Sequence, residues 1–392
     1  MPVRISDTFP IVNSVSILDI LLLAAAATLF LDLAFRPIDP GHRTLFRILC
    51  IPLVLSLASL VWSQDKAATV RATIIYAEGL IAYLFVVREL AGLDADRVIR
   101  YIERYAYLLI LPGILLLLHV PGFEPHEPGL SHTSGTYISY YTRLSHPLLG
   151  RSNNLATLLA LFAPLLLYWG HIRHDRRITL AAVVTLAAIF MTLSRGTLLA
   201  FVVAGVLYAP FAAGRRRPQR RGMAAKVTAV VLLGFVAVAV LYTVNPDTRE
   251  FISGRLSLAN VHDRSELISR SLGKVADRPL LGYGAGVVAD HDPLLAVDVH
   301  NTYLQQIVYL GIPLGIVVSV ALCAIPAVFL AGRQTPLAGV IAYALMVQLV
   351  LFLFESSFEG TVLRVLFYMS IGLAVGLLRA AEREPAGTVG DP

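Results

Sequence analysis

Long apolar runs alternate with short charged segments along almost the whole chain. Continuous apolar windows fall at 15–35, 46–63, 70–88, 106–120, 153–170, 178–194, 196–213, 225–244, 312–331, 337–354 and 361–379. A helix of about 18 or more apolar residues crosses the roughly 30 Å hydrocarbon core of a bilayer. The pattern therefore predicts an all-α polytopic integral membrane protein of eleven spans, or twelve if the N-terminal region holds a further crossing or re-entrant piece. Residues 1–392 read as a single transmembrane domain.

Composition agrees: the 392 residues are 57% hydrophobic and only 15% charged, with a mean hydropathy of +0.72. That excludes a water-soluble domain of this length. The net charge of +6 raises the question of nucleic acid. The basic residues, however, lie in short blocks between apolar runs, where topology explains them without a nucleic-acid partner. If 36–47, 88–104, 171–177, 214–226, 332–336 and the C-terminal tail face the cytoplasm, they gather the larger part of the 32 Lys and Arg, "GRRRPQRR" included. The C-terminus is then cytoplasmic. The first apolar run follows a single arginine and reads as an uncleaved span, since more membrane helix follows it. Cys50 and Cys323 both fall inside spans and read as packing residues.

Two connections on the opposite, external face are long: 121–152 and 245–300. Their aromatic and apolar content argues against disorder, and long loops in a compact protein usually carry function. Within the second, "DRSELISRSLGKVADRPLLGYGAG" predicts a short amphipathic helix on the membrane surface. Asp263 is its expected N-cap, Arg264 lies in its first turn, and Pro279 with the glycines ends it.

Several positions are candidates for chemistry. Arg195, in "TLSRGTLL", lies where two spans meet with almost no loop; it either snorkels to headgroups or holds an anion, and Gly196 beside it allows close approach. Arg264 opposes the helix dipole in a first turn, which an anionic ligand would explain, as would a local pair with Asp263 or Glu266. Arg270, Lys274, Arg278, Arg143 and Arg151 share the external face as solvent, headgroup or substrate contacts. His300 precedes Asn301 and Thr302, which can cap a helix beginning at Tyr303. The positive end of that helix favours a neutral imidazole, so His300 is either an interfacial cap or a proton acceptor. The acids and histidines of "ADHDPLLAVDVHN" match no metal-ligand spacing. "GYGAG" lacks the features of a nucleotide loop; it is a tight turn whose N–H groups, at Gly284 among others, could approach an anion. Tyr137, Tyr140 and Tyr141 suit sugar rings and the membrane interface equally. Glu78, in mid-span, suggests a polar path or a buried pair.

Taken in order, "RSNNLATLLALFAPLLLYW", "TLSRGTLLAFVVAG", "DRSELISRSLGKVADRPLLGYGAG" and "HNTYLQQIVYLGIPLG" resemble the O-antigen ligase and O-antigen polymerase superfamily over roughly 150–320. The resemblance implies transfer of a glycan from an undecaprenyl diphosphate carrier at the periplasmic face of the bacterial inner membrane. It implies that Arg195 and Arg264 contact the diphosphate and that His300 acts on the acceptor hydroxyl, with no nucleotide or metal cofactor. Arg143, Arg151, Asn154, Arg270, Gly284, Asn301 and Tyr303 complete the expected substrate-binding set. The chemistry is consistent: two fixed cations would stabilise a diphosphate leaving group, and a neutral histidine would take the acceptor proton in an inverting attack.

Three acceptors fit: a lipid A core sugar, as in a ligase; another lipid-linked repeat, as in a polymerase; or a protein hydroxyl. A transporter or flippase of lipid-linked glycan, working among membrane lipids, is the alternative from another class. Such proteins place their sites at the midplane between related repeats, and no repeat is evident here.

Overall fold

A computed structural model describes residues 43–118, 144, 152–192, 194–213, 243, 259–287, 301–332, 335–354 and 361–383. The expected spans at 15–35 and, apart from Thr243, at 225–244 lie outside the described residues, as do most of 121–152 and all of 245–258 and 288–300. Ten helices occur among the described residues: α1 Arg43–Ser59, α2 Lys66–Glu89, α3 Ala95–Leu117, α4 Ser152–Ile172, α5 Arg176–Met191, α6 Arg195–Ala213, α7 Ala259–Asp277, α8 Thr302–Gly332, α9 Pro336–Leu351 and α10 Thr361–Arg383. No strand occurs among them. The protein is an all-α polytopic membrane protein. Among the described residues, four helices are each long and apolar enough to span a bilayer: Lys66–Glu89, Asn153–Ile172, Thr302–Ala331 and Arg364–Arg383.

The apolar runs dictate the helices, and short polar residues set their starts. The Asp65 side chain accepts the Ala68 N–H at 3.0 Å to open α2, and Asp175 accepts the Arg177 and Ile178 N–H groups to open α5. Thr335 caps α9, with Pro336 as its first helical residue. Two expected boundaries move. Helix α3 begins at Ala95 rather than near 106, because "ADRVIRYIERY" buries Ala95, Val98, Ile99 and Ile102 along one face while its charges stay at the helix end. Helix α8 begins at Thr302 and breaks at Gly311, whose φ of 77° is non-helical, so a half-helix precedes the span expected at 312–331.

Helix α9 is the centre of the bundle, with almost every residue buried. It packs on α4, α6 and α8. The Tyr343 hydroxyl donates to Phe201 O on α6 at 3.2 Å, and Gln348 Nε2 donates to Thr157 O on α4 at 3.1 Å. Helices α2 and α10 run parallel in close contact: a Cβ on Gly79 would meet the Tyr368 ring, and one on Gly372 or Gly376 would meet Val86 or Leu90. Small residues at this spacing let membrane helices approach where no hydrophobic force drives them together. Many large apolar residues on the spans remain exposed, including Leu57, Ile74, Leu108, Leu111, Leu180, Val183, Val206 and Val320. Such exposure matches a lipid-facing surface.

The two ends of the bundle are joined differently. At the end holding the starts of α3 and α5, the buried Glu103 accepts from Arg177 Nε at 2.9 Å. That hydrogen bond and charge raise the Arg177 pKa above its ordinary value. Arg383 also donates to Ala91 O there. This end carries Arg97, Arg100, Arg104, Arg173, Arg176, Arg177 and Arg383.

Candidate functional site

At the other end, residues in the first or second turns of three helices contact the C-terminal end of α9 or the residues just after it. Thr157, in the second turn of α4, receives Gln348. Gly196, in the first turn of α6, faces Leu351 and Phe354, and a Cβ there would sit 3.6 Å from Phe354, an ordinary contact. Thr302 opens α8 by donating its N–H to Phe352 O at 2.8 Å. Each of the three N-terminal segments therefore touches the last two turns of α9 or the residues just after it, and a positive helix end favours an anion.

Position 195 follows Ser194, whose hydroxyl accepts from the Thr197 N–H at 3.4 Å and lies 2.9 Å from Thr197 Oγ1. Arg195 is thus the first residue of α6, where the helix dipole disfavours a cation. Asn301 is the cap of α8, its Oδ1 accepting the Leu304 N–H at 2.9 Å. The Tyr303 hydroxyl reaches α9, donating to Leu349 O at 2.9 Å, and its ring packs on Phe352. Asn154 lies half-buried in the first turn of α4. Of the sequence-predicted positions, Tyr303 touches α9 itself and Asn301 is next to Thr302, which does, while Asn154 lies three residues before Thr157 and position 195 next to Gly196. His300, Arg143 and Arg151 lie outside the described residues, as do the side chains at 195 and 264.

Helix α7 corrects one expectation. It starts at Ala259, so Asp263 is not its cap and Arg264 stands in its second turn. Ser271, later in the helix, is 1% exposed. Arg270 pairs with Glu266 along the helix.

The glycine turn after α7 is a buckle. The N–H groups of Tyr283 and Gly284 donate to Val308 O at 3.2 Å and Tyr309 O at 2.8 Å, and Ile312 N–H donates to Pro279 O at 2.7 Å. Ala285 N–H donates to Ser59 Oγ at 3.1 Å, Gln64 N–H donates to Tyr283 O at 3.0 Å, and Trp62 Nε1 donates to Leu281 O. Gly284 has φ 108°, and a Cβ there would lie 2.3 Å from Ser63 Oγ. Its N–H is bound within the fold, so the turn does not present it to an anion as the sequence suggested. Lys274 and Arg278 both lie over the Tyr283 ring, at 5.5 and 5.3 Å. Burial first, then the Asp277 carboxylate, raises the Tyr283 pKa, against the opposing pull of Arg278.

Sequence reasoning missed a polar cluster beneath the half-helix of α8. Arg364, 4% exposed in α10, stacks over the Tyr76 ring at 4.1 Å and donates to Ala72 O at 3.4 Å. The Tyr76 hydroxyl donates to Gln306 Oε1 at 3.4 Å, and Gln305 Nε2 donates to the Tyr309 hydroxyl at 2.6 Å. Glu78 is buried on the same α2 helix. The available signal was a single arginine inside the apolar run "TVLRVLFYM", because an intramembrane charge marks function by default.

Compared with known proteins, residues 180–319 match the family model described as O-antigen ligase. The matched segment contains α5, α6, α7, the half-helix of α8 and positions 195, 264 and 300. No curated protein matches the chain. Proteins of this superfamily carry out glycan transfer of the O-antigen ligase and polymerase type, between a lipid-linked glycan and an acceptor, in bacterial membranes.

Proposed function

With residues 180–319 carrying the O-antigen ligase match as premise, we propose that this protein transfers a glycan from an undecaprenyl diphosphate carrier to an acceptor hydroxyl at the periplasmic face of the inner membrane. The acceptor is a lipid A core sugar. The observation that carries the proposal is the contact of the N-terminal segments of α4, α6 and α8 with the end of α9, with Arg195 first in α6 and His300 preceding the α8 cap in sequence.

In this reading the diphosphate lies in the field of those helix ends. Arg195 and Arg264 hold it and take up charge as it leaves. His300, kept neutral by the positive end of α8, takes the acceptor proton, and attack from the face opposite the diphosphate inverts the anomeric centre. The lipid diphosphate supplies the activation, so the transfer runs without nucleotide or metal. Arg270, Asn154, Asn301, Tyr303, Arg143 and Arg151 shape the surrounding substrate surface; Gly284 contributes by holding α7 against α8.

The test is transfer by reconstituted protein given lipid diphosphate glycan and candidate acceptors, with product masses read out. Arg195→Ala, Arg264→Ala and His300→Ala are each expected to lower the rate by about 10²–10⁴-fold while inserting normally. Full transfer by all three variants would end the proposal. A deletion strain distinguishes the acceptor: loss of a ligase leaves core without O-chain, whereas loss of a polymerase leaves core bearing one repeat.

A further inference from the structure

At the arginine-rich end, opposite the glycine buckle, a polar cleft opens between α3, α4 and α5. Asp96, Arg100, Trp169, Arg173 and Asp175 line it, over two isoleucines. Part of the lining is braced. Trp169 Nε1 donates to Asp96 Oδ1 at 3.0 Å, Arg173 Nε lies 3.6 Å from the same oxygen, and the Arg173 guanidinium sits 5.3 Å over the indole.

Two groups are not braced. Arg100 is half-buried and has no hydrogen bond or ion pair among the described residues. Asp175 spends Oδ1 on the Arg177 and Ile178 N–H groups and keeps its second oxygen without a hydrogen-bond partner among them. An unengaged cation and an unengaged anionic oxygen therefore share one cleft. The N-termini of α3 and α5 border it and add partial positive charge.

The lining narrows the ligand. Asp96 and Asp175 repel a multiply charged anion, and Arg100 and Arg173 repel a simple cation. A molecule with one negative and one positive group a few ångströms apart satisfies both. The cleft lies where helices begin and end beside a tryptophan, the level of the headgroups. The exposed Leu108, Leu111, Leu180 and Val183 continue along α3 and α5 from it, a surface suited to acyl chains.

We propose that this cleft binds the headgroup of a zwitterionic aminophospholipid, a phosphodiester bearing a primary ammonium. Arg100, with Arg173, holds the phosphate in guanidinium forks, and Asp175, with Asp96, holds the ammonium. The headgroup closes the α3–α4–α5 corner much as an internal salt bridge would.

The test is thermal stability and native mass spectrometry of the full-length protein in detergent, with phosphatidylethanolamine, phosphatidylglycerol, phosphatidylcholine or inorganic phosphate added. Phosphatidylethanolamine is expected to raise Tm by several degrees and to remain bound; the other two lipids should do less and phosphate alone nothing. Arg100→Ala should abolish the gain, whereas Arg97→Ala, which breaks only the exposed pair with Asp94, should keep it. Asp175→Asn keeps the capping oxygen of α5 and removes the charge, so it should erase the preference for phosphatidylethanolamine over phosphatidylglycerol even if Arg100→Ala does not fold. Equal gains from phosphatidylglycerol, a gain from phosphate alone, or a preference that survives Asp175→Asn would overturn the proposal.

Discussion

The two ends of this bundle are held by different physics. Around the glycine buckle, backbone N–H and C=O groups of the α1–α2 turn, the segment after α7 and the α8 break bond directly to one another, through glycines that no side chain could replace. At the opposite end, side chains do the joining: Glu103 with Arg177, and Asp96 with Trp169 and Arg173. Backbone joints permit little adjustment and keep helix ends in place to within a fraction of an ångström, which a reacting site requires. Side-chain joints tolerate rearrangement and chiefly confer stability.

The sharpest way to break this contrast is Gly311→Ala. At φ 77°, with a Cβ only 2.3 Å from Leu280 O, strain alone costs about 1–3 kcal/mol. Both thermal stability in detergent and glycan transfer should fall, and retained transfer would mean that the buckle does not position the site. Arg177→Ala makes the opposite demand. It leaves the buried Glu103 carboxylate without its 2.9 Å partner, so Tm should drop while transfer per inserted molecule stays at the wild-type rate. Asp175→Ala removes the α5 cap and is expected to cost about 1 kcal/mol, seen in denaturant titration and again without effect on transfer. The smallest effect is assigned to Tyr76→Phe, which deletes a long hydrogen bond to Gln306 at 3.4 Å. A loss of about 0.5 kcal/mol or less is expected; a large change in transfer rate would show that the Arg364 cluster reaches the site.

The apolar runs made the helix positions legible, because a bilayer leaves few other ways to satisfy the backbone of a long apolar segment. Windows at 70–88, 153–170, 196–213 and 361–379 lie inside or close to α2, α4, α6 and α10. The start of α3 was hidden because Arg97, Arg100, Glu103 and Arg104 interrupt the apolar run along the sequence, although Ala95, Val98, Ile99 and Ile102 share a buried face. The break in α8 was hidden because Gly311 inside an apolar run does not announce which carbonyl will approach it; Leu280 does, from another part of the chain. Gly284 meets Ser63 from still farther along the chain, so the turn residues were readable and their partners were not. Of the candidate site, the capping role of Asn301 followed from local chemistry. The buried Arg364 on Tyr76 needed the third dimension.

One consequence follows from how the chain is fastened on either side of 288–300. Val287 donates its N–H to Gly284 O within the buckle, and Thr302 donates to Phe352 O at the head of α8. Both endpoints are set by residues outside the stretch, so its length and composition can change while the bundle stays as it is, and added residues raise the closure entropy only logarithmically. An insertion within 288–300 is therefore expected to leave the bonds at Gly284 and Phe352 in place and the Tm of the bundle nearly unchanged.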